Sequence, residues 1–344
     1  MSKRKLTRRQ AWRVEKIHKE RTDRASKKDN QIIEQLDASE LGAEQHGLII
    51  SHFGKQVDVE AMNSQNEREI YRCHLRTHLG QLVTGDKVIW RQGAQTGVIV
   101  AVLPRITQLE RPTNHGELKP VAANIDRIVI TFAIEPQPFS NLIDRYLVAC
   151  ELSGIKPILL LNKADLISDK NREEIRILTE RYQDIGYEVL TASTKLESGM
   201  DALHQQLNGK TCVFVGQSGV GKSSLINVLL PGVDIKVGDL SEQTRKGKHT
   251  TTTARLFHIP SGGQLIDSPG IREFALWHLD KNSIIQGFKE FKPYIGYCKF
   301  RDCKHISEPK CALLEAIEEG NISQSRMESY RRIIVSIEEN KHEF

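Results

Sequence analysis

The stretch TCVFVGQSGVGKSSLINVL at residues 211–229 decides the fold of this chain. An apolar run leads into the spacing G-x-x-x-x-G-K-S, and an apolar helical pattern follows it. This order of strand, glycine-rich turn and helix is typical of a P-loop, whose backbone N–H groups bind phosphate oxygens at a helix N-terminus. Lys222 is predicted to reach the β- and γ-phosphates, and Ser223 to ligate Mg²⁺. The predicted nucleotide contacts of this motif are Gly216, Gln217, Ser218, Gly219, Val220, Gly221, Lys222, Ser223 and Ser224.

A second motif predicts which base is bound. Asn162, Lys163 and Asp165 form an N-K-x-D element after the apolar run 157–161. The Asp165 carboxylate can accept hydrogen bonds from N1–H and the 2-amino group of guanine, whereas adenine offers neither donor. Asn162 is predicted to support the loop and the base, and Lys163 to lie along the base plane. At the end of the next predicted strand, a backbone motif that contacts the guanine oxygen is predicted at Thr191, Ala192 and Ser193.

The magnesium end of the site is predicted from two later segments. Asp267 and Gly270 form a D-x-x-G element, in which Asp267 would hold Mg²⁺ through water and the Gly270 N–H would sense the γ-phosphate. A threonine-rich segment lies before it, and Thr251 is the predicted magnesium ligand there, with Thr252 next. A polar surface loop is the alternative interpretation of that segment.

The order of these motifs is rotated relative to conventional GTPases, which begin with the P-loop and end with N-K-x-D and the serine–alanine-type motif. Here N-K-A-D and T-A-S come first, followed by the P-loop, the threonine segment and D-S-P-G. A circular permutation can keep the same three-dimensional site because domain termini usually lie close together. Apolar strands alternating with amphipathic helices from about residue 121 predict a parallel α/β sheet for this domain.

The N-terminal part of the chain predicts two different regions. Residues 1–28 contain 12 Lys or Arg and 3 Asp or Glu, which favours an arm that folds against nucleic-acid phosphates over a merely solubilising tail. Five short β-rich runs then predict a small all-β barrel, with an OB-fold as the most economical candidate and an SH3-like barrel as the alternative. These runs are 47–53, 57–61, 69–75, 86–90 and 97–103. Basic side chains expected on a nucleic-acid-facing side are Arg72, His74, Arg76, His78, Lys87, Arg91 and Arg105.

The C-terminal part contains a C-x4-C-x-H-x5-C pattern at Cys298, Cys303, His305 and Cys311. Three thiolates and one imidazole form a closed tetrahedral set typical of structural zinc, and no coordination position is left for a catalytic water. Unligated reduced thiols are the alternative. Basic neighbours suited to RNA phosphates are Lys292, Lys299, Arg301, Lys304 and Lys310.

Composition excludes several classes of protein. The chain has 344 residues, is 39% hydrophobic and carries a net charge of +5. It has no apolar run long enough to span a membrane and no apolar segment near its basic start, which disfavours transmembrane and secreted proteins. Six cysteines in 344 residues are too few for a disulfide scaffold, so a reducing cytoplasm is expected. The chain is also expected to be a monomer.

From about residue 40 to 344, the sequence resembles the RsgA family of circularly permuted ribosome-biogenesis GTPases. The resemblance rests on GQSGVGKSS, NKAD, RKGKHTTT and DSPG. It implies an OB-fold before the GTPase domain, a zinc domain after it, and a role late in maturation of the small (30S) ribosomal subunit, with its 16S rRNA as partner. It also implies GTP turnover stimulated by that subunit.

Hydrolysis presents a chemical gap, because Ile271 follows Gly270 where many GTPases carry a water-positioning glutamine. His249 in the threonine-rich segment is the nearest candidate for orienting the water, and the resemblance points to the same residue. The alternative for His249 is a surface histidine or an rRNA contact. The predicted catalytic group is therefore His249, Lys222 and Thr251.

Two other functions remain open from the sequence: an RNA-anchored GTP sensor whose turnover is unimportant, and a P-loop ATP-dependent RNA enzyme, against which Asp165 argues. The predicted division is a basic arm (1–39), an OB-fold RNA-binding domain (40–112), a permuted GTPase domain (113–275) and a zinc-binding helical domain (276–344).

Overall fold

The computed structural model describes residues 41–54, 56–62, 68–76, 79–112, 117–233, 254–267 and 281–341. The predictions for the arm at 1–39, for His249, Thr251 and Thr252, and for Gly270 lie outside these residues. The chain forms two compact units, one of residues 1–82 and 87–104 and the other of residues 83–86 and 105–344. Within the described ranges, no helix is both long and apolar enough to cross a membrane.

The first unit is a five-stranded barrel. Its strands are β1 (Glu44–Phe53), β2 (Gln56–Ala61), β3 (Ile70–Leu75), β4 (Lys87–Arg91) and β5 (Gly97–Val102). β1 pairs antiparallel with both β2 and β4, and β2 with β3, while β3 runs parallel to β5 and β5 pairs antiparallel with β4. This closed order, β1-β2-β3-β5-β4-β1, confirms the predicted OB-like barrel and disfavours the SH3-like alternative.

Alternating side chains fill the barrel. In β2, Val57 and Val59 are fully buried whereas the intervening Asp58 is partly exposed, the period-2 pattern of a strand with one face on a core. Trp90 of β4 is fully buried and its ring lies 4.7 Å from the ring of Tyr71. The barrel therefore has its own hydrophobic core.

The second unit contains the predicted α/β sheet. Its strand order is β10-β9-β8-β11-β13-β12, parallel except for β12, which pairs antiparallel with β13. These strands are β8 (Arg127–Ala133), β9 (Lys156–Asn162), β10 (Glu188–Thr191), β11 (Thr211–Gly216), β12 (Arg255–His258) and β13 (Gln264–Asp267). The helices along this part of the chain are α1 (Ser140–Ser153), α2 (Arg172–Asp184), α3 (Asp201–Leu207) and α4 (Lys222–Leu229). A separate antiparallel pair joins β6 (Gln108–Pro112) to β7 (Leu118–Ala123).

The C-terminal residues form a helical module that packs on α1. Its elements are α5 (Lys281–Gln286), a 3₁₀ helix (Lys289–Tyr294), α6 (Ala312–Glu318) and α7 (Gln324–Lys341). Phe288 and Phe291 stack with their ring centroids 4.7 Å apart, and Tyr330 of α7 meets both rings edge-on. Val148 of α1 is buried in the same cluster, so the module shares a core with the α/β sheet.

Candidate nucleotide site and metal centre

The P-loop spans the end of β11 and the start of α4. Gly216 has φ 140° and Gly221 has φ 93°, backbone conformations that favour glycine. A Cβ at Gly216 would lie 2.0 Å from the carbonyl oxygen of Thr131, so the loop can pass this close to β8 only without a side chain. The Lys222 Nζ lies 2.7 Å from the Gly216 oxygen and 2.6 Å from that of Gln217. The ammonium is therefore already folded over the loop where phosphates would bind.

The N-K-x-D element is hydrogen-bonded directly to the P-loop. Asn162 is buried, and its Nδ2 donates to the Val220 carbonyl oxygen at 2.8 Å. The Lys163 Nζ donates to the Gly219 oxygen at 2.9 Å and to the Glu135 oxygen at 2.6 Å. The structure thus brings together two motifs that are separated by more than fifty residues in sequence. Nothing in the sequence predicts the contact between Lys163 and Glu135.

Asp165 is oriented by the T-A-S loop. Its carboxylate accepts a hydrogen bond from the Ser193 Oγ at 2.6 Å, and the Lys195 Nζ lies 3.3 Å from its other oxygen. The Ser193 hydrogen bond first, and then Lys195, hold the pKa of the Asp165 carboxyl below its ordinary value. An ionised carboxylate at this position is the acceptor that the two guanine donors require. The backbone N–H of Ala164 also donates to the Ala192 oxygen at 3.1 Å, which joins the two loops.

The structure adds contacts at Ser193 and Lys195 that the sequence does not predict. The T-A-S motif indicates a backbone contact with the base, but the Ser193 hydroxyl also orients Asp165. Lys195 lies two positions after the motif and nothing in its local sequence distinguishes it from a solvent-exposed lysine. Only the fold, which places the end of β10 beside the end of β9, reveals its role.

The magnesium end is described in part. Ser223 lies in the first turn of α4, and Asp267 is the last residue of β13. β11 and β13 run parallel and adjacent, so the P-loop and Asp267 lie at the same carboxyl edge of the sheet. A hydroxyl and a carboxylate oxygen are hard donors of the kind that Mg²⁺ takes. Thr191, Ser218 and Ser224 occupy the predicted positions in the two loops and in α4, and no described contact assigns them a further role.

The cysteine and histidine cluster fits a tetrahedral metal. One ligand atom each from Cys298, Cys303, His305 and Cys311 lies within 4.8 Å of all the others. The Cys298 Sγ is 3.9 Å from the Cys311 Sγ, and the His305 Nδ1 is 3.6 Å from the first sulfur and 3.3 Å from the second. Zinc bonds of about 2.3 Å to sulfur and about 2.0 Å to nitrogen would place ligand atoms roughly 3.5–3.8 Å apart. The donor set and its spacing match zinc.

The loop around the cluster is shaped by hydrogen bonds to its backbone. The Glu308 carboxylate accepts from the backbone N–H groups of Ile306, Lys304 and Ser307 at 2.8, 2.9 and 3.1 Å. These bonds lower the pKa of Glu308 to about 2. Arg331 of α7 donates to the His305 carbonyl oxygen at 2.7 Å and so fixes the ligand's backbone to the helix. Sequence patterns for metal ligands do not extend to such supporting residues.

Two of the basic residues expected on RNA-facing surfaces have partners inside the second unit. Lys292 pairs with Glu151 of α1 at 2.6 Å. Arg105 pairs with the fully buried Asp86 at 2.7 Å. Arg105 therefore contributes to packing through a buried partner, whereas Lys292 stays exposed beside Glu151, as do Lys299, Arg301, Lys304 and Lys310 around the metal cluster.

Comparison with known proteins agrees with this geometry. The sequence model of the RsgA GTPase family matches residues 102–277. The chain is 57% identical over 340 residues to the "Small ribosomal subunit biogenesis GTPase RsgA" of Hahella chejuensis, covering 98% of each chain. It is likewise 57% identical over 343 residues to the protein of the same name from Azotobacter vinelandii, covering 99% of this chain and 100% of the relative.

Two solved structures are also similar. YjeQ from Thermotoga maritima superposes with a TM-score of 0.71 at 30% identity, over 86% of this chain and 99% of that one. YloQ, described as a circularly permuted GTPase, gives 0.69 at 29% identity, over 87% and 96%. The permuted order of motifs therefore corresponds to a known three-dimensional arrangement.

Proposed function

The chain belongs to the RsgA GTPase family, and from that premise we propose that it acts in biogenesis of the small ribosomal subunit. It is a GTP hydrolase, converting GTP and water into GDP and phosphate. Its action falls late in maturation of the 30S subunit, which stimulates its turnover and whose 16S rRNA it contacts. We further propose that it acts as a cytoplasmic monomer.

One observation carries the nucleotide part of this proposal. Asn162 and Lys163 bond to P-loop carbonyl oxygens, and Asp165 in the same loop is held by Ser193. The proposed phosphate-binding and base-binding loops therefore lie side by side, as binding of a single nucleotide requires. Because Asp165 is an acceptor facing two guanine donors, GTP is favoured over ATP, which argues against an ATP-dependent RNA enzyme.

Each residue of the predicted catalytic and magnesium-binding groups would have its own role in hydrolysis. Lys222 would balance charge on the β- and γ-phosphates, while Ser223, Thr251 and Asp267 would hold the magnesium ion. When bound, Mg²⁺ would neutralise the negative charge that develops on the oxygens of the β- and γ-phosphates. His249 would orient the attacking water, and the Gly270 N–H would contact the γ-phosphate. With Ile271 in place of a polar side chain after Gly270, intrinsic turnover should be slow and dependent on the partner.

The flanking parts supply RNA contacts in this proposal. The OB-like barrel and the basic arm at residues 1–39 would bind rRNA phosphates, as would the exposed basic residues beside the zinc site. Zinc would be structural, because four protein ligands leave no open position on the metal. We propose that these functions divide among four parts of the chain, residues 1–39, 40–112, 113–275 and 276–344.

The experiment that tests it is GTP hydrolysis by the purified protein alone, with 30S subunits and with 50S subunits, using ATP as the nucleotide control. We expect strong stimulation by 30S subunits only. Lys222→Ala should abolish the stimulated rate, and His249→Ala should keep GTP binding while losing stimulation. Tight GTP binding without stimulation by either subunit would instead favour the GTP-sensor alternative, for which Ile271 is the motivating residue.

A further inference from the structure

A short connector, residues 83–86, lies at a crossing of the chain between its two units. Leu82 belongs to the first unit and Lys87 begins barrel strand β4, but Val83–Asp86 belong to the second unit. The chain crosses again between Pro104 and Arg105. Strand β4 is therefore covalently continuous with a segment that the second unit holds.

Hydrogen bonds hold this connector to Arg105 and to β7. The fully buried Asp86 carboxylate accepts from the Val83 N–H at 2.8 Å and from the Arg105 Nε and Nη2 at 2.7 and 2.8 Å. Gly85 has φ 92°, and a Cβ there would lie 2.1 Å from the Ala123 carbonyl oxygen. The Thr84 oxygen accepts from the Ala123 N–H at 3.0 Å. The ion pair between Asp86 and Arg105 thus links the connector to the residue where the chain crosses into the second unit again.

The connector also touches the strands that lead to the magnesium end. Thr84 is buried, and its Oγ1 donates to the carbonyl oxygen of Ala254 at 2.9 Å. Ala254 directly follows the threonine run 250–253 in sequence and precedes β12. Ile266 packs beside Gly85, with its Cδ1 3.3 Å from a Cβ built there, and directly precedes Asp267. One buried hydroxyl therefore fixes the connector to the residue that directly precedes β12.

We propose that Thr84 is a positioning residue that couples the barrel to the nucleotide site through the connector. Displacement of β4 when the barrel binds its partner would move Ala254 and the adjoining strands β12 and β13, and with them Asp267. Because coupling between two sites is reciprocal, replacing GDP by GTP should also alter the connector without any partner present. The expected effect of partner binding on hydrolysis rests on the proposed 30S-stimulated function. The expected effect of the nucleotide on the connector does not.

The kinetic test compares Thr84→Val, which removes the hydroxyl but keeps the shape, with Thr84→Ser, which restores the donor. Thr179→Val is the matched control, because its Oγ1 donates to the Ile175 carbonyl oxygen within α2. We expect Thr84→Val to lower the 30S-stimulated kcat roughly fivefold, as for loss of one buried hydrogen bond, with unchanged intrinsic hydrolysis and GTP affinity. Thr84→Ser and Thr179→Val should match the wild-type protein.

The second test measures backbone hydrogen exchange over residues 83–91 with GDP and with a non-hydrolysable GTP analogue, in the absence of subunits. We expect a nucleotide-dependent difference in the wild type and in Thr179→Val and Thr84→Ser, but none in Thr84→Val. Equal exchange with both nucleotides in the wild type would overturn the inference, as would full 30S stimulation of Thr84→Val. A wild type that 30S subunits do not stimulate would refute the proposed function, and exchange alone would then decide the coupling.

Discussion

In the proposed function, Asp165 is the residue that selects the nucleotide. An asparagine at this position keeps one acceptor but replaces the other with an amide donor, which opposes the 2-amino group of guanine and suits the 2-oxo group of xanthine. We expect Asp165→Asn to weaken GTP binding by at least about 100-fold, since a buried donor is left unpaired, and to bind XTP more tightly than GTP. Titration with fluorescent GTP and XTP measures both. Wild-type GTP affinity in this variant would contradict the assignment.

We predict that Ser193 sets the pH below which the Asp165 carboxyl is protonated and no longer contributes to guanine binding. A carboxyl whose pKa is depressed in the folded protein stays ionised to lower pH, so its contribution to guanine binding is present above the pKa and is lost as the pH falls through it. Removing the hydroxyl in Ser193→Ala should raise the pKa of Asp165 and move the acid limb of GDP binding to higher pH. The measurement is the GDP dissociation constant between about pH 4 and 7, bracketing an ordinary Asp pKa. Ser153→Ala, whose hydroxyl bonds the Cys150 oxygen at the end of α1, is the matched control, and superimposable profiles for Ser193→Ala and the control would contradict the prediction.

At this residue scale, the sequence predicts the groups that touch the nucleotide but not those that hold them. The spacings of Asn162 to Asp165 and of Gly216 to Ser223 follow from ligand chemistry, which fixes residue type and position. The Ser193 hydroxyl and the Lys195 ammonium act on Asp165 instead of on the ligand, so many residue types would be compatible with the local sequence. Their role arises from the parallel pairing of β9 with β10.

At the scale of elements, the turn at residues 304–308 carries the candidate metal ligand His305 and directly follows the ligand Cys303. Its backbone N–H groups converge on Glu308, whereas His305 needs φ 57° to aim its ring at the three sulfurs. Because the pKa of Glu308 is lowered to about 2, this anchoring is fully present above an ordinary glutamate pKa of about 4.3 and is lost as the pH falls toward 2. The turn is therefore anchored at neutral pH.

Glu308→Ala should loosen that turn and weaken zinc retention. We expect zinc release to a chromogenic chelator to accelerate on the order of 10-fold, the lower end of effects seen when groups that orient metal ligands are removed. Glu318→Ala, at an exposed position of α6, is the control and should release zinc at the wild-type rate. Equal rates for the two variants would show that Glu308 does not support the site.

Elements with strong periodicity are predictable, and pairings between distant strands are not. Four of the five barrel runs match β2–β5 to within about one residue at each end, and the first run, 47–53, begins three residues after β1 does. Strand count alone leaves OB and SH3-like barrels open, and the parallel pairing of Cys73 with Gly97 decides between them. The β6–β7 pair has no clear signal, because β6 is largely polar and the two strands contain Pro112 and Pro120.

At the scale of the whole molecule, the permutation places the D-x-x-G element immediately before the C-terminal helical module. The described contacts show that this module is anchored on α1 through a shared apolar core that includes Val148, Phe288 and Ile333. The segment leading into α1 contacts the nucleotide loops, since the Glu135 oxygen accepts from Lys163 and Pro136 lies 3.7 Å from a Cβ built at Gly219. The segment that leads into α1 thus borders the P-loop, and α1 itself borders the module that carries the cysteine and histidine cluster.

A buried ionic cluster fixes this arrangement. Arg326 of α7 is 1% exposed, and its guanidinium bonds Asp144 of α1 and, at 2.6 Å, Glu290. The Tyr182 hydroxyl of α2 donates to the same Asp144 at 2.9 Å, and burial raises the Tyr182 pKa well above its ordinary value, which keeps it a donor. The arginine also lies 4.5 Å over the Phe288 ring. A single side chain therefore connects α1, α7 and the 3₁₀ helix.

Arg326→Met should destabilise the second unit strongly, because it keeps most of the apolar stem but leaves two carboxylates buried without a cation. We expect a loss of about 3–5 kcal/mol in the free energy of unfolding by urea, followed by far-UV circular dichroism of the helices. Adding Asp144→Asn should recover part of the loss, since one unpaired charge is removed. Arg332→Met on the same helix, whose partner Glu328 is 3.7 Å away and exposed, should change stability by less than about 0.5 kcal/mol. A comparably small change for Arg326→Met would mean that the shared apolar core, and not the ionic cluster, holds the helical module on the GTPase fold.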